Sequence, residues 1–135
     1  MNLIIDANIL FSLLIKDGKN AEILISPTFN FYAPEFIFEE IEKYAGEISA
    51  KLNRNEEELL SILKMINELV KIIPKEETDK FILEAARICP DEKDIAYFAS
   101  ALSIGCPIWS NDKKLKEQNK IRVYSTEELV RIFNA

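Results

Sequence analysis

Histidine is absent from the sequence, and cysteine is scarce, with only Cys89 and Cys106. Without histidine, the chain cannot assemble the usual zinc site of Cys and His ligands, nor a Ser-His-Asp or Cys-His catalytic group. The commonest general base at neutral pH is missing as well. Any chemistry must therefore come from carboxylates, Lys, Tyr or metal-bound water, and any metal ion must be held by oxygen atoms.

Glycine and proline, which interrupt helices and strands, are also scarce, and long apolar segments are missing. Three glycines and five prolines in 135 residues fit neither a disordered nor a fibrous protein. The apolar run from Ile9 to Ile15 is far too short for a bilayer, which needs about 20 residues. The N-terminus also lacks a basic leader and a small-residue cleavage site. We therefore expect a cytoplasmic protein without a membrane segment, folded as one domain over residues 1–135.

The apolar residues alternate between strand-like and helix-like patterns. Short apolar runs predict five strands, at residues 3–5, 31–33, 70–73, 107–109 and 121–124. Helical spacing predicts helices at residues 8–14, 35–52, 55–69, 77–88 and 94–104, and after Ser125. Capping boxes are expected at Asn55–Glu58 and Ser125–Glu128, and a helix end at Gly105. Strands that alternate with helices predict a parallel α/β sheet with helices on both faces.

Four acids are placed to meet at one edge of this sheet. Asp6 follows the first strand, Asp112 the fourth, and Asp94 opens the helix that leads into the fourth strand, while Glu40 lies early in the helix after the second. Ligands of open parallel sheets bind at the carboxyl ends of the strands. Crowded carboxylates repel one another unless hard cations bind between them, and Mg²⁺ or Mn²⁺ suits oxygen ligands. Such an ion activates water and stabilises charge on a phosphoryl oxygen, so phosphodiester hydrolysis is the expected reaction.

Each of these acids also has a purely structural interpretation. Asp6 and Asp112 are placed to cap helices, Asp94 to interact with a helix dipole, and Glu40 to lie on a solvated helix face. The formal charge of −6 also disfavours binding to nucleic acid through a basic face. Assigning four acids to a metal cluster leaves −2, which bound divalent ions would neutralise.

Three segments of the chain resemble the acidic blocks of PIN-domain nucleases. They read LIIDANILFSLL, PEFIFEEIEKY and DIAYFASALSIGCPIWSND, and the last ends in Ser-x-Asp, with its final Asp eighteen residues after Asp94. The resemblance implies a three-layer α/β/α sandwich around a central parallel five-stranded sheet, and endoribonuclease activity with Mg²⁺ or Mn²⁺. Carried over by position, the catalytic and metal-binding acids are Asp6, Glu40, Asp94 and Asp112, and the supporting residues are Asn8, Ser110 and Asp91.

Two neighbouring acids compete for these positions. Glu40 borders the apolar face that carries Ile37 and Ile41, whereas Glu39 lies about 100° away around the helix, so we favour Glu40. Asp91 follows Pro90 in a predicted turn, where it is either a turn residue or an indirect metal ligand acting through water. Trp109 and Phe98 lie inside apolar patterns and are predicted to be core residues. The cluster Lys113, Lys114 and Lys116 either contacts phosphates or forms a solvated helix face.

Other functions and several partners stay open. The protein is either a nuclease, a catalytically inactive PIN-like scaffold, or a Mg²⁺-dependent phosphotransfer or phosphatase domain. The last matches poorly, because Asn8 stands where a phosphatase needs a second Asp and no Asp follows Ile73. The resemblance implies an RNA substrate, single-stranded or structured, and a possible protein antitoxin if the chain is the toxin of a toxin–antitoxin pair. A homodimer is expected from a helical hairpin over residues 35–70, whose apolar surface exceeds what the sheet can cover; it carries Phe36, Phe38, Ile48, Leu52, Leu59, Ile62, Leu63 and Ile66.

Overall fold

Five parallel strands form one sheet in the computed structural model, which describes residues 1–14, 18–42, 47 and 56–134. In chain order the strands are β1 (Asn2–Ile5), β2 (Asn30–Pro34), β3 (Val70–Ile73), β4 (Ile108–Trp109) and β5 (Val123–Tyr124). Across the sheet their order is β3-β2-β1-β4-β5. The chain therefore runs outward from β1 in one direction and then in the other, and the order reverses between β1 and β4.

Helices connect the strands. They are α1 (Ala7–Leu14), α2 (Gly18–Ile25), α3 (described over residues 36–42), α4 (Glu56–Leu69), α5 (Lys75–Asp79), α6 (Ile82–Ile88), α7 (Ile95–Ile104) and α8 (Thr126–Phe133). Single 3₁₀ turns cover Glu92–Asp94 and Lys113–Lys116. This architecture confirms the predicted α/β/α sandwich with a central parallel five-stranded sheet. No helix in these described ranges is long and apolar enough to cross a membrane.

The centre of the sheet explains where the candidate site lies. Leu3, Ile4 and Ile5 have no exposed surface, as expected for a central parallel strand covered on both faces. Ile5 pairs in register with Trp109, so β1 and β4 end level with each other. The residues that follow these two strands, Asp6 and Ser110, therefore leave the sheet side by side. Trp109 and Phe98 are fully buried, which confirms both as core residues.

Local capping signals are confirmed where they fall within the described residues. Gly105 ends α7 with a φ of 74°, a left-handed conformation that favours glycine. Ser125 and Glu128 form both hydrogen bonds of the capping box at the start of α8. The proposed cap at Asn55 and the connection between α3 and α4 lie outside the described residues.

The segment between β3 and α7 differs from the predicted single helix over residues 77–88. The helical conformation begins earlier, at Lys75, because the carbonyl of Pro74 accepts hydrogen bonds from the N–H groups of Glu77 and Thr78. It is interrupted at Phe81, whose φ of −114° and ψ of 4° end α5 before α6 begins. The half-buried Phe81 packs against the core, and this tertiary contact overrides the local helical pattern.

Candidate active site

Asp6 lies at the carboxyl end of the central strand and is only 4% exposed. Its Oδ1 accepts a hydrogen bond of 3.0 Å from the N–H of Ile9, which caps α1, and its carboxylate also accepts one from Ser110. Burial raises the pKa of Asp6 to about 6 in spite of these hydrogen bonds, and the charges of Asp94 and Asp112 raise it further. Asp6 therefore caps α1 and also lies buried beside two carboxylates of the same charge.

Ser110 links Asp6 to a second acid. The serine is fully buried, and its Oγ accepts a hydrogen bond of 3.1 Å from the N–H of Asp112 while bonding to the carboxylate of Asp6. Asp112 is half-buried, and its Oδ1 accepts a hydrogen bond of 3.0 Å from the N–H of Lys114, starting a 3₁₀ turn. The spacing Ser-x-Asp thus lets one hydroxyl hold both the backbone of one acid and the side chain of the other.

Asp94 is the third member of this group. It occupies the residue before α7, but its side chain makes no capping hydrogen bond. Its pKa is raised first by burial and then by the negative charges of Asp91 and Asp112. Asp6, Asp94 and Asp112, which we call the acidic cluster, are therefore close enough for their charges to act on one another.

Tyr97 is a neighbour of the acidic cluster that was not predicted from the sequence. Its hydroxyl accepts a hydrogen bond of 3.1 Å from the N–H of Ala7, and the side chain is 4% exposed. Burial raises the pKa of Tyr97 above its ordinary value, and the charges of Asp6, Glu40 and Asp94 contribute. The available signal was its position three residues after Asp94, which places both residues on one helix face. Tyr97 connects α7 to the start of α1 and so fixes the position of Asp94, which precedes α7, relative to Asp6, which precedes α1.

Glu39 and Glu40 are both exposed but lie in different surroundings. Glu40 is close enough to Tyr97 to raise its pKa, so it lies on the side of the acidic cluster. Glu39 instead lines a separate cavity of about 260 Å³, together with Lys75 and Asp79. The choice of Glu40 over Glu39 as the fourth acid stays a prediction.

The remaining predicted supporting residues, Asp91 and Asn8, are more exposed than Ser110. The Oδ1 of Asp91 accepts a hydrogen bond of 3.1 Å from the N–H of Lys93, and its Oδ2 forms an ion pair of 3.6 Å with Lys114. The hydrogen bond from Lys93 and the charge of Lys114 keep the pKa of Asp91 below its usual value. Asn8 is exposed in the first turn of α1. Asp91 is thus a capping residue of the turn before Asp94, as the turn interpretation predicted.

A hydrogen-bond network that was likewise not predicted supports the loop after β4. The hydroxyl of Thr126 accepts from the indole N–H of Trp109 at 3.1 Å and from Asn111 at 2.9 Å, and it donates to Asn20 at 2.8 Å. The backbone N–H of Thr126 donates in turn to Asn111 at 2.7 Å. Asn20 continues the network by donating to Ser12 on α1. Both polar atoms of the Asn111 side chain are therefore hydrogen-bonded to Thr126, and this fixes the residue between Ser110 and Asp112.

The donor chemistry of the acidic cluster fits a hard divalent cation. Its atoms are carboxylate oxygens, and the most buried of them, on Asp6, has neighbours of the same charge and a raised pKa. Within the described residues, no three acidic or cysteine side chains converge tightly enough to form a ready metal-binding group. Binding would therefore require the side chains of the cluster to draw closer around the ion.

Comparisons with known proteins agree with this architecture. The crystal structure of VapBC2 from Rickettsia felis, bound to a DNA fragment from their promoter, shares the fold with a TM-score of 0.69 at 14% identity, covering 93% of this chain and 98% of that one. PAE2754 from Pyrobaculum aerophilum has a TM-score of 0.63 at 19% identity, covering 100% and 91%. A search of curated proteins finds no significant match. A family model described as the PIN domain matches residues 4–129, and the chain therefore belongs to the PIN domain family.

Proposed function

We propose that this protein is a metal-dependent endoribonuclease that hydrolyses RNA phosphodiester bonds within a single domain over residues 1–135. In this proposal, Asp6, Glu40, Asp94 and Asp112 hold Mg²⁺ or Mn²⁺. The observation that carries it is the acidic cluster at the carboxyl edge of the sheet, where a buried Asp6 has two like-charged neighbours. Carboxylates in this state are stabilised when a divalent cation lies between them. Membership of the PIN domain family supports the same class of reaction.

The residues of the acidic cluster and the neighbouring Tyr97 have distinct parts in the proposed reaction. A bound divalent ion would supply an activated water and stabilise charge on the phosphoryl oxygens. Asp6 is held by Ser110 and the N–H of Ile9, so its carboxylate presents a fixed oxygen to the ion. Asp94 and Asp112 are more exposed than Asp6, so their side chains would be able to adjust around the ion. Tyr97 is protonated at neutral pH, and its hydroxyl accepts from the N–H of Ala7, next to Asp6, which joins the helix of Asp94 to the helix that Asp6 caps.

We expect purified protein to cleave single-stranded RNA in Mg²⁺ or Mn²⁺ and to lose that cleavage in excess EDTA. The carboxylates cannot by themselves neutralise the charge that develops on the phosphoryl group, so the ion is essential. The measurement is the loss of full-length, end-labelled RNA on a denaturing gel, with the metal added back after chelation. Structured RNA and DNA of equal length, tested in parallel, distinguish the substrate class. Undiminished cleavage in EDTA would rule out this mechanism.

A matched pair of variants separates the proposed site from its surroundings. Glu40→Gln and Glu39→Gln change neighbouring exposed residues of α3 by the same chemistry. We expect Glu40→Gln to reduce kcat/KM at least about tenfold, the lower end of losses seen when the support of a metal site is removed. Glu39→Gln, whose side chain lines the other cavity, is expected to stay within about twofold of the parent. The reverse order would assign the fourth acid to Glu39.

An inactive PIN-like scaffold is the second candidate function. The observation in its favour is that, in the described residues, the acids do not form a ready metal-binding group. Calorimetric titration with Mn²⁺ distinguishes the two candidates, since a nuclease of this type must bind the ion and a scaffold need not. Membership of the PIN domain family gives no support to the phosphotransfer or phosphatase alternative.

We also propose that the protein forms a homodimer. Met65 and Leu69, one turn apart on α4, are exposed, as is Ile72 on the neighbouring edge strand β3, whereas the exposed Leu60 lies on another side of the helix. Apolar residues left exposed on one part of a surface favour an interface. Among the residues named from the sequence, Leu59 and Ile66 are buried instead, and Ile48 and Leu52 lie outside the described residues. Light scattering at micromolar concentration is expected to give twice the chain mass of 15.5 kDa, and a single-chain mass at all concentrations would contradict the dimer.

A protein antitoxin is a further proposed partner. Its support is the shared fold with VapBC2 from Rickettsia felis, a complex bound to a promoter DNA fragment. If this chain is the toxin of such a pair, its expression alone is expected to arrest growth. Co-expression of a small protein encoded next to it should relieve the arrest, and harmless expression of an active nuclease would favour an RNA-processing role.

A further inference from the structure

Two lysines lie beside the acidic cluster, one on each of the loops that carry its half-buried members, Asp94 and Asp112. Lys93 immediately precedes Asp94, and Lys114 is two residues after Asp112. The N–H of Lys114 donates to the Oδ1 of Asp112 at 3.0 Å, and its side-chain Nζ lies 3.6 Å from the Oδ2 of Asp91. The N–H of Lys93 donates to the other oxygen of Asp91 at 3.1 Å. Asp91 therefore brings the two loops, and the two lysines with them, to one side of the cluster.

These lysines are close enough for their charges to act on the cluster. Both lower the pKa of Asp94 against the larger effects of burial and of the neighbouring acids. The three lysines after Asp112 are not equivalent in this respect. Lys116 pairs with Glu128, which belongs to the capping box of α8, whereas Lys114 reaches back toward Asp94. Position in the fold thus separates Lys114 from Lys116, which the sequence alone did not.

The ion pair between Lys114 and Asp91 is easily exchanged for another. The side chain of Lys114 is 51% exposed, that of Asp91 is 25% exposed, and their separation of 3.6 Å is long. An exposed pair of this kind contributes little to stability, so an anionic ligand can displace Asp91 from Lys114 without a large penalty. The whole chain carries a formal charge of −6 and repels a polyanion at long range, which makes local cations necessary for its capture.

We propose that Lys93 and Lys114 bind the phosphate groups of a single-stranded RNA next to the acidic cluster. On binding, Lys114 exchanges Asp91 for a phosphate oxygen, while Lys93 contacts the strand from the other loop. Lysine suits this role because its ammonium group is a compact charge on a flexible stem, which accepts a strand without fixed geometry. The inference rests on the proposed function for the identity of its ligand, but it concerns binding and not the chemical step.

Fluorescence anisotropy with a labelled single-stranded RNA tests the inference directly, in EDTA and again in Ca²⁺. The variants are Lys93→Gln, Lys114→Gln and the double variant, with Lys113→Gln as the control because it removes the same charge from an adjacent exposed residue. We expect each single variant to raise Kd about 5- to 10-fold and the double variant at least about 30-fold, as for the removal of one and of two phosphate-binding cations. Each variant that removes one such cation should also reduce the slope of log K against log salt by about 0.7.

The possible outcomes separate this inference from the proposed function. Equal weakening by Lys113→Gln overturns it, because the effect would then be one of overall charge. Absence of RNA binding by the parent protein, or unchanged binding by the double variant, overturns it as well. Binding that depends on Lys93 and Lys114 without any cleavage would support the inference and contradict the nuclease. In an active enzyme the same variants should raise KM and change kcat by less than about threefold.

Discussion

Asp6→Asn is expected to abolish most cleavage and, at the same time, to stabilise the metal-free protein at neutral pH. Both effects follow from the burial of a carboxylate whose pKa is raised to about 6. In the proposed mechanism, this carboxylate holds the ion that stabilises the phosphoryl charge, so its loss should reduce kcat about 100-fold or more. Without the ion, its negative charge is a cost to folding that the neutral asparagine does not carry.

The pH dependence of stability distinguishes this effect from helix capping. The carboxyl of Asp6 has a pKa near its ordinary value of 3.8 in the unfolded chain and near 6 in the folded protein, so between these values the folded state binds more protons. Stability conferred by the protonated form is therefore lost as pH rises through this window, to a total of about 3 kcal/mol by pH 7. The advantage of Asp6→Asn should accordingly grow from pH 4 to pH 7 in urea denaturation with EDTA present.

Two comparisons complete that experiment. Asp79→Asn removes an exposed carboxylate outside the cluster and should show no such growth with pH. Mn²⁺ should stabilise the parent protein and not Asp6→Asn, because only the parent retains the buried ligand. Asparagine keeps the oxygen that accepts from Ile9, so the variant removes only the charge. If Asp6→Asn is less stable than the parent at every pH, that charge stabilises the folded protein, as an acid does at a helix N-terminus, and the proposed cost of its burial is wrong.

Thr126→Val is expected to lower the free energy of unfolding by about 2–4 kcal/mol, although it replaces one residue by another of nearly equal volume. The hydroxyl that it removes bonds to Trp109, Asn111 and Asn20, and it leaves the buried indole N–H of Trp109 without its acceptor. Asn111, in the loop that holds Asp112, also loses one of its two hydrogen bonds to Thr126. Reduced kcat should therefore accompany reduced stability, as read from RNA cleavage and urea denaturation.

Thr126→Ser is the matched control because it keeps the hydroxyl and loses only a methyl group. Its free energy of unfolding should lie within about 1 kcal/mol of the parent value, and its kcat within about threefold. Equal stability of the serine and valine variants would mean that the network contributes little. A stable valine variant with low kcat would instead show that the network acts on the loop alone.

The features predicted from sequence are those that local chemistry determines. A central strand is recognisable in Leu3–Ile5 because burial on both faces requires a continuous apolar run, and Gly105 is recognisable because a left-handed helix end favours glycine. The placement of Asp6 beside Ser110 follows from the same reasoning, since parallel strands end at a common edge. These arguments need only the residue and its near neighbours.

The features that sequence did not predict depend on contacts between distant parts of the chain. Tyr97 bonds to Ala7 across 90 positions, and Thr126 bonds to Asn20 across 106. In the sequence, Tyr97 is one aromatic residue in an apolar helix and Thr126 one polar residue after a helix cap. Their roles emerge only when the helices pack on the sheet, and the interruption at Phe81 has the same origin.

Trp109 gives this protein an optical reporter of its own. It is the only tryptophan in the chain, has no exposed surface and lies with its ring centroid 5.4 Å from that of Phe31. Its indole N–H is bonded to Thr126, and the next residue along the chain, Ser110, bonds to Asp6 and Asp112. Emission from a buried indole is sensitive to such neighbours, so titration with a cation or with RNA should change its intensity or wavelength. Events at the carboxyl edge of the sheet can therefore be followed in the unlabelled protein, in real time and in solution.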